Sequence, residues 1–229
     1  MGEIFLIRHG QASFGEPEYD RLSETGITQS RVLGEWLRAQ GLRFDAVYAG
    51  ERLRQQDTAR LALEALPGGA PALAVEPAFN ELDADRLMQH AVPRLVLQDP
   101  AVAELLVDLR AHRDRFRRLF ERVVDEWVEG GWQAAGIGTW PSFSDRVTQG
   151  VSTLARRHGP GRRIAVFTSG GPITAMLQAL GARQTGGLDW DIANTSITRV
   201  AFDADGGLRL VAAREVPHLS ARRELLTHL

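Results

Sequence analysis

The run Ile4-Phe5-Leu6-Ile7 does most to limit what this chain can fold into. Successive side chains of a strand point to opposite sides, so four large apolar residues in a row make a strand buried on both faces. A sheet of such strands is covered by helices above and below. A second run of this kind, Ile164-Ala165-Val166-Phe167, lies far along the chain, and strand-like and helical stretches alternate between the two. That alternation predicts an α/β fold, a three-layer αβα sandwich around a mostly parallel central sheet.

The remaining elements follow from periodicity and stop signals. A strand over 3–8 leads to a helix near 26–40, whose Ile27, Leu33, Trp36 and Leu37 share one face and whose stop is Gly41. A strand from Asp45 to Ala49 precedes a helix through Thr58, Leu61, Ala62 and Ala65, ended by Pro67-Gly68-Gly69. A third strand falls within 72–79. A helix near 142–158 is separated by Pro160-Gly161 from the fourth strand, and Asn194 to Phe202 and Leu208 to Ala213 read as two strands joined by a hairpin-type turn. The pattern breaks between about 84 and 141. There Val102, Leu105, Leu106, Leu109, Phe116, Leu119, Phe120, Val123 and Trp127 trace one stripe of a long helix. Its place after the third strand predicts a helical cap inserted over the strand ends, within a single domain spanning 1–229. The stripe suits packing on the body or on a second copy of the chain, so a homodimer stays open.

Composition excludes several classes of function. A formal charge of −2 leaves no electrostatic footprint for nucleic acid or an anionic membrane. The basic stretch from His112 to Arg118 is interleaved with acids and reads as a solvated helix face. There is no cysteine, which rules out thiolate chemistry and cysteine metal sites. No signal-peptide pattern stands at the start and no apolar run nears the roughly 18 residues of a membrane span, so the expectation is a cytoplasmic protein with no nucleic-acid or membrane partner.

Ligands bind at the carboxyl ends of strands in an open α/β sheet. The first strand ends in Arg8-His9-Gly10: a planar fork of donors suited to phosphate, an imidazole, and a residue without Cβ where the backbone turns or approaches a ligand. Further along, Leu22-Ser23-Glu24-Thr25-Gly26 precedes the first helix, and Arg54 stands ahead of Thr58-Ala59. Glu81 follows the third apolar run in Phe79-Asn80-Glu81-Leu82, and Ser169-Gly170-Gly171-Pro172 follows the fourth.

Strand-end elements in this order resemble the histidine phosphatase superfamily, in the branch named for cofactor-dependent phosphoglycerate mutase. The resemblance runs from the first strand to about Thr198. It implies phosphoryl transfer through a phosphohistidine on His9, with Arg8 and Arg54 clamping the phosphoryl oxygens and Glu81 as acid and then base, and no cofactor or metal. Arg52 competes with Arg54 for the clamp; spacing to Thr58-Ala59 favours Arg54. Asp83 and Asp85 compete with Glu81, either being suited to capping the next helix. Gln11 and Ser13 read equally as phosphate contacts and as ordinary loop residues.

The chain departs from the pattern at one place. The family carries a second histidine before the Gly-Gly of the fourth strand end, and here that residue is Ser169. A hydroxyl still donates one hydrogen bond, but loss of a charge-assisted one costs about 1.5–3 kcal/mol, or about ten- to 150-fold in rate. Gly170 and Gly171 suit a helix N-terminus, which favours an anion. His90 in the cap and His218 in the tail are the candidates to replace the missing imidazole, while His112, His158 and His228 read as surface residues. The expectation is a phosphomonoester phosphohydrolase of reduced activity on a small phosphorylated substrate or a phosphoprotein. An impaired phospho-ligand binding or regulatory protein is the alternative. A phosphoglycerate mutase is weaker, because the stretch from His9 to Leu22 is short and Gly15 stands where the mutases carry an Asn.

Overall fold

Alternate residues of the first strand, β1 (Gly2–Arg8), enter two different cores. Ile4 and Leu6 pack with Val151, Leu154, Ile173 and Met176, whereas Phe5 and Ile7 pack with Leu33, Leu37, Ala59 and Ala62. The same division holds in β4 (Arg163–Thr168), whose Ile164 and Val166 face one side and Ala165 and Phe167 the other. These are the two continuous apolar runs of the sequence, and burial on both faces is the reason they are continuous. The computed structural model describes residues 1–228 apart from Phe14, Pro17, 108–112, 132–135 and 183–190.

The other strands are β2 (Ala46–Ala49), β3 (Leu73–Val75), β5 (Ile197–Phe202) and β6 (Leu208–Glu215). The sheet order is β3-β2-β4-β1-β5-β6. β3, β2, β4 and β1 are mutually parallel; β5 is antiparallel to β1, and β6 antiparallel to β5. One face is covered by α1 (Glu24–Ala39) and α2 (Leu53–Leu63), the other by α6 (Trp140–His158) and α7 (Gly170–Ala179). Ser23 caps α1 by accepting from the Gly26 N–H at 3.1 Å, and Thr139 caps α6 with Pro141 in its first turn. No helix among the described residues is long and apolar enough to cross a membrane.

Between β3 and α6 lie α3 (Ala84–Gln98), α4 (Ala101–Leu106) and α5 (Arg113–Val128). The stripe from Val102 to Trp127 is therefore divided between two helices, not carried by one. Val107 leaves α4 with extended backbone (φ −67°, ψ 115°), and Leu109 lies outside the described residues. Upstream, Asp99 is extended at φ −142°, ψ 96° because the following Pro100 disfavours helical backbone there, and this separates α3 from α4. Leu87, Ala91, Leu95, Val102, Leu119, Val123 and Trp127 of these helices form a third core with Trp140, Phe143 and Val147 of α6.

Candidate active site

Parallel register brings two strand ends together. Arg8 of β1 lies opposite Thr168 of β4, and the His9 N–H donates to the Thr168 carbonyl at 2.8 Å, so His9 and Ser169 leave the sheet side by side. Arg54 comes from the first turn of α2 and Glu81 from the segment after the short 3-10 turn Pro77–Phe79. Gly10 is a glycine for a reason other than ligand approach. A Cβ there would lie 2.6 Å from the Gly26 carbonyl oxygen and 3.0 Å from Ser30 Oγ, so the absent side chain lets α1 pack against the bend.

His9 is buried, and both ring nitrogens are engaged. Nδ1 is 2.7 Å from the Gly10 carbonyl, which can only accept, so Nδ1 carries the proton. Nε2 then bears the lone pair and accepts from Arg54 Nε at 3.1 Å. Burial first, then the nearby Arg54 and Arg8 guanidinium groups, push the imidazole pKa well below its ordinary value. The ring is thus held neutral, with its unprotonated nitrogen turned to the Arg54 guanidinium.

Arg54 is buried and paired: Nη1 lies 2.7 Å from Asp20 Oδ1, and its guanidinium carbon sits 5.4 Å from the Tyr19 ring centroid. Arg52 is the N-cap residue of α2 and is only half-buried, so Arg54 is the arginine at the site. Arg8 donates through Nη1 to the Ile192 carbonyl and, at 2.8 Å, to the His228 carbonyl. Its Nε is buried without a partner among the described residues. Burial lowers the Arg8 pKa to about 10, still far above neutrality.

The Glu81 carboxylate sits at the start of α7. It accepts from the Gly171 N–H at 3.2 Å and from the Leu82 N–H at 2.9 Å. Its backbone is fixed from α6: the Arg146 guanidinium donates to the carbonyls of Pro77, Ala78 and Asn80 at 2.6, 2.8 and 3.0 Å. Asp83 caps α3 through the Arg86 N–H, and Asp85 lies in that helix's first turn, so neither stands in for Glu81. Gln11 supports the scaffold, its N–H donating to Gln29 Oε1 and its Oε1 accepting from Ser23 Oγ, and the Ser13 N–H pairs with the Arg21 carbonyl.

Ser169 is fully buried, and its hydroxyl accepts from Gln55 Nε2 at 2.7 Å. Gln55 is itself sealed, also reaching the Phe79 carbonyl at 3.4 Å. Gln55 is the residue sequence reasoning missed; only its place directly after Arg54 marked it out. Gly170 opens α7 behind Ser169. His90 lies half-buried on α3. His218 is buried beside Trp36, with Nε2 2.8 Å from Thr195 Oγ1. The Thr195 N–H donates to the main-chain carbonyl of His9 at 3.3 Å, which places His218 behind the His9 backbone. His228 is not a plain surface residue: it lines a cavity of about 80 Å3 with Arg8, Glu81, Gly170, Gly171 and Asp191. His112 and the Trp132 end of the loop before α6 lie outside the described residues.

Residues 4–103 and 108–214 match the model of the histidine phosphatase superfamily, branch 1. The chain belongs to that superfamily. This histidine phosphatase family member is 33% identical over 86 residues to a 2,3-bisphosphoglycerate-dependent phosphoglycerate mutase of Parvibaculum lavamentivorans, a match spanning 35% of this chain and 41% of that protein. It is 34% identical over 71 residues to a phosphoglycerate mutase of Candida albicans, 28% of this chain and 29% of that one. The matched stretch thus covers less than half the length of these relatives. Among solved structures, phosphoglycerate mutase from Bacillus anthracis str. Sterne superposes with a TM-score of 0.63 at 18% identity, over 95% of both chains. Phosphoserine phosphatase from Entamoeba histolytica, in complex with 3-phosphoglyceric acid, gives 0.60 at 17%, over 96% of this chain and all of that one (100%). A mycobacterial glucosyl-3-phosphoglycerate phosphatase in complex with VO3 gives 0.58 at 20%, over 93% and 99%. At these identities the structural likeness establishes the α/β sandwich with its mixed sheet.

Proposed function

We propose that the protein is a phosphomonoester phosphohydrolase working through a phosphohistidine on His9, without a metal ion. The observation that carries this reading is the state of the imidazole: Nδ1–H anchored on the Gly10 carbonyl and the Nε2 lone pair facing Arg54 in a buried, cation-flanked setting. A structural histidine has no need of two arginines that oppose its protonation.

An incoming phosphoryl oxygen takes over the Arg54 guanidinium, which releases Nε2. The Nε2 lone pair attacks phosphorus in line with the ester oxygen, and the P–O bond breaks as the P–N bond forms. Glu81, in its protonated form, gives its proton to the departing oxygen and becomes a carboxylate. A water molecule then loses a proton to Glu81 while its oxygen attacks phosphorus. The P–N bond breaks, inorganic phosphate leaves, and His9 and Glu81 return to their starting states. Arg8 and Arg54 balance the phosphoryl charge, and the positive end of the α7 dipole adds to this. Ser169, bound to Gln55, gives no second imidazole, which supports a modest turnover. Small phosphorylated metabolites and phosphoproteins both suit this chemistry.

The test is turnover of an aryl phosphate in chelator, with His9→Ala alongside. Activity that resists chelation, is inhibited by vanadate and is lost in His9→Ala is expected. Activity that requires magnesium and persists in His9→Ala would overturn the reading.

A further inference from the structure

The C-terminal segment that carries His228 is stitched to the scaffold of His9. Gln29 Nε2 donates to the Leu225 carbonyl at 2.6 Å and to Thr227 Oγ1 at 2.8 Å, and Gln29 Oε1 receives the Gln11 N–H. The Thr227 hydroxyl donates to Asn194 Oδ1, and its carbonyl accepts from the Asn194 N–H, both at 2.8 Å. The Asn194 amide in turn donates to the His9 carbonyl at 3.1 Å. The last of these ties is the Arg8 guanidinium on the His228 carbonyl. They set the His228 side chain at the cavity bordered by Arg8, Glu81 and the N-terminus of α7.

His228 Nδ1 lies 2.8 Å from Asp191 Oδ1, a distance of ion pairing, though the atoms are not aligned for a hydrogen bond. With Nδ1 turned to a carboxylate, Nε2 is the nitrogen left to meet a ligand. The Arg8 Nε, which has no partner among the described residues, is a second donor beside the same helix start: a Cβ on Gly170 would lie 4.0 Å from it. We propose that His228 is a substrate-contacting residue of this site, its imidazole supplying from the tail the donor that Ser169 does not supply from β4. The inference rests on the phosphohydrolase reading above. It assigns the role neither to His90 nor to His218.

His228→Ala and His228→Gln in the full chain test it, because Arg8 holds the main-chain carbonyl of residue 228 and keeps that contact in both. The readouts are kcat and KM on an aryl phosphate, vanadate inhibition, and rescue by free imidazole. His228→Ala is expected to lower kcat/KM about ten-fold or more and to weaken vanadate inhibition. His228→Gln, which retains an N–H donor, should fall between, and free imidazole should restore part of the alanine variant's rate. A folded His228→Ala with wild-type kcat/KM and vanadate inhibition overturns the inference while leaving the phosphohydrolase reading intact. So does a loss that glutamine does not lessen and imidazole does not restore, since that is the mark of a tail that only props the fold. Wild-type protein that neither turns over nor binds vanadate overturns both.

Discussion

Gly171→Ala separates chemistry from stability at one atom. A Cβ at Gly171 would overlap Glu81 Oε1, with the rest of the carboxyl at 3.2 Å and Leu82 Cδ2 at 3.3 Å. The atom that must move is the end of a flexible side chain, so the carboxylate swings off the α7 start and the backbone stays. Replacing glycine by alanine within a helix favours folding by about 1 kcal/mol. Loss of the charge-assisted bond from the Gly171 N–H costs about 1.5–3 kcal/mol, softened by water where the site is open. The two nearly offset, and a net change within about 2 kcal/mol is expected by denaturant unfolding. Activity responds differently. A displaced general acid loses about 10²- to 10⁴-fold on alkyl phosphates, whose leaving oxygen needs a proton, and much less on aryl phosphates with acidic phenols. The assay is kcat/KM across leaving groups of graded basicity. A Gly171→Ala variant with an unchanged dependence on leaving-group basicity would refute the assignment of Glu81.

Two further perturbations bear on the buried histidines and on Ser169. His218 has its pKa lowered from 6.5 to about 4 by burial. The unfolded chain therefore binds the proton first, and stability present above pH 6.5 declines as pH falls toward 4. The gap amounts to about 3 kcal/mol at about 1.4 kcal/mol per pKa unit. His9 contributes with the same sign, its pKa also being lowered. Urea unfolding at pH 7 and pH 4.5 should show a smaller acid loss in His218→Asn than in the wild type; an equal loss would count against the neutral buried ring. Ser169→His is expected to overpack against Gln55 and cost about 1–3 kcal/mol. Paired with Gln55→Ala it should fold well and turn over about ten-fold faster than Gln55→Ala alone. A stable and faster Ser169→His single variant would show that Gln55 does not fill that space.

Much of the sandwich was legible because its signals are local. Continuous apolar runs marked β1 and β4, and the ends of α1 and α6 carry their caps in the sequence. The candidate residues His9, Arg54 and Glu81 could be singled out because each follows or opens an element. What stayed hidden depends on three-dimensional proximity. The end of α4 at Val107 divides an apolar stripe whose period alone reads as continuous. Gln55 meets Ser169 across 114 residues, and Arg8 meets the His228 carbonyl across 220. No spacing rule reaches that far. Gly10 misled in a subtler way, since a missing Cβ tells that something comes close without telling whether it is ligand or helix.

On the phosphohydrolase reading, the pairing of Asp20 with Arg54 sets the character of anion entry. Because the guanidinium already holds a carboxylate, an arriving anion takes part in an exchange between two partners, and no empty positive hole waits to be filled. Asp20 offsets the Arg54 charge, so the long-range attraction felt by a distant anion is reduced and less of it is left for salt to screen. Selection is left to contact distance. A planar carboxylate offers Arg54 only what Asp20 already provides, whereas a tetrahedral oxyanion has a further oxygen for the Arg8 Nε and for the start of α7. On that reading, such an arrangement would sort anions by shape at the moment of exchange and keep the clamp quiet among the many carboxylates it would otherwise attract.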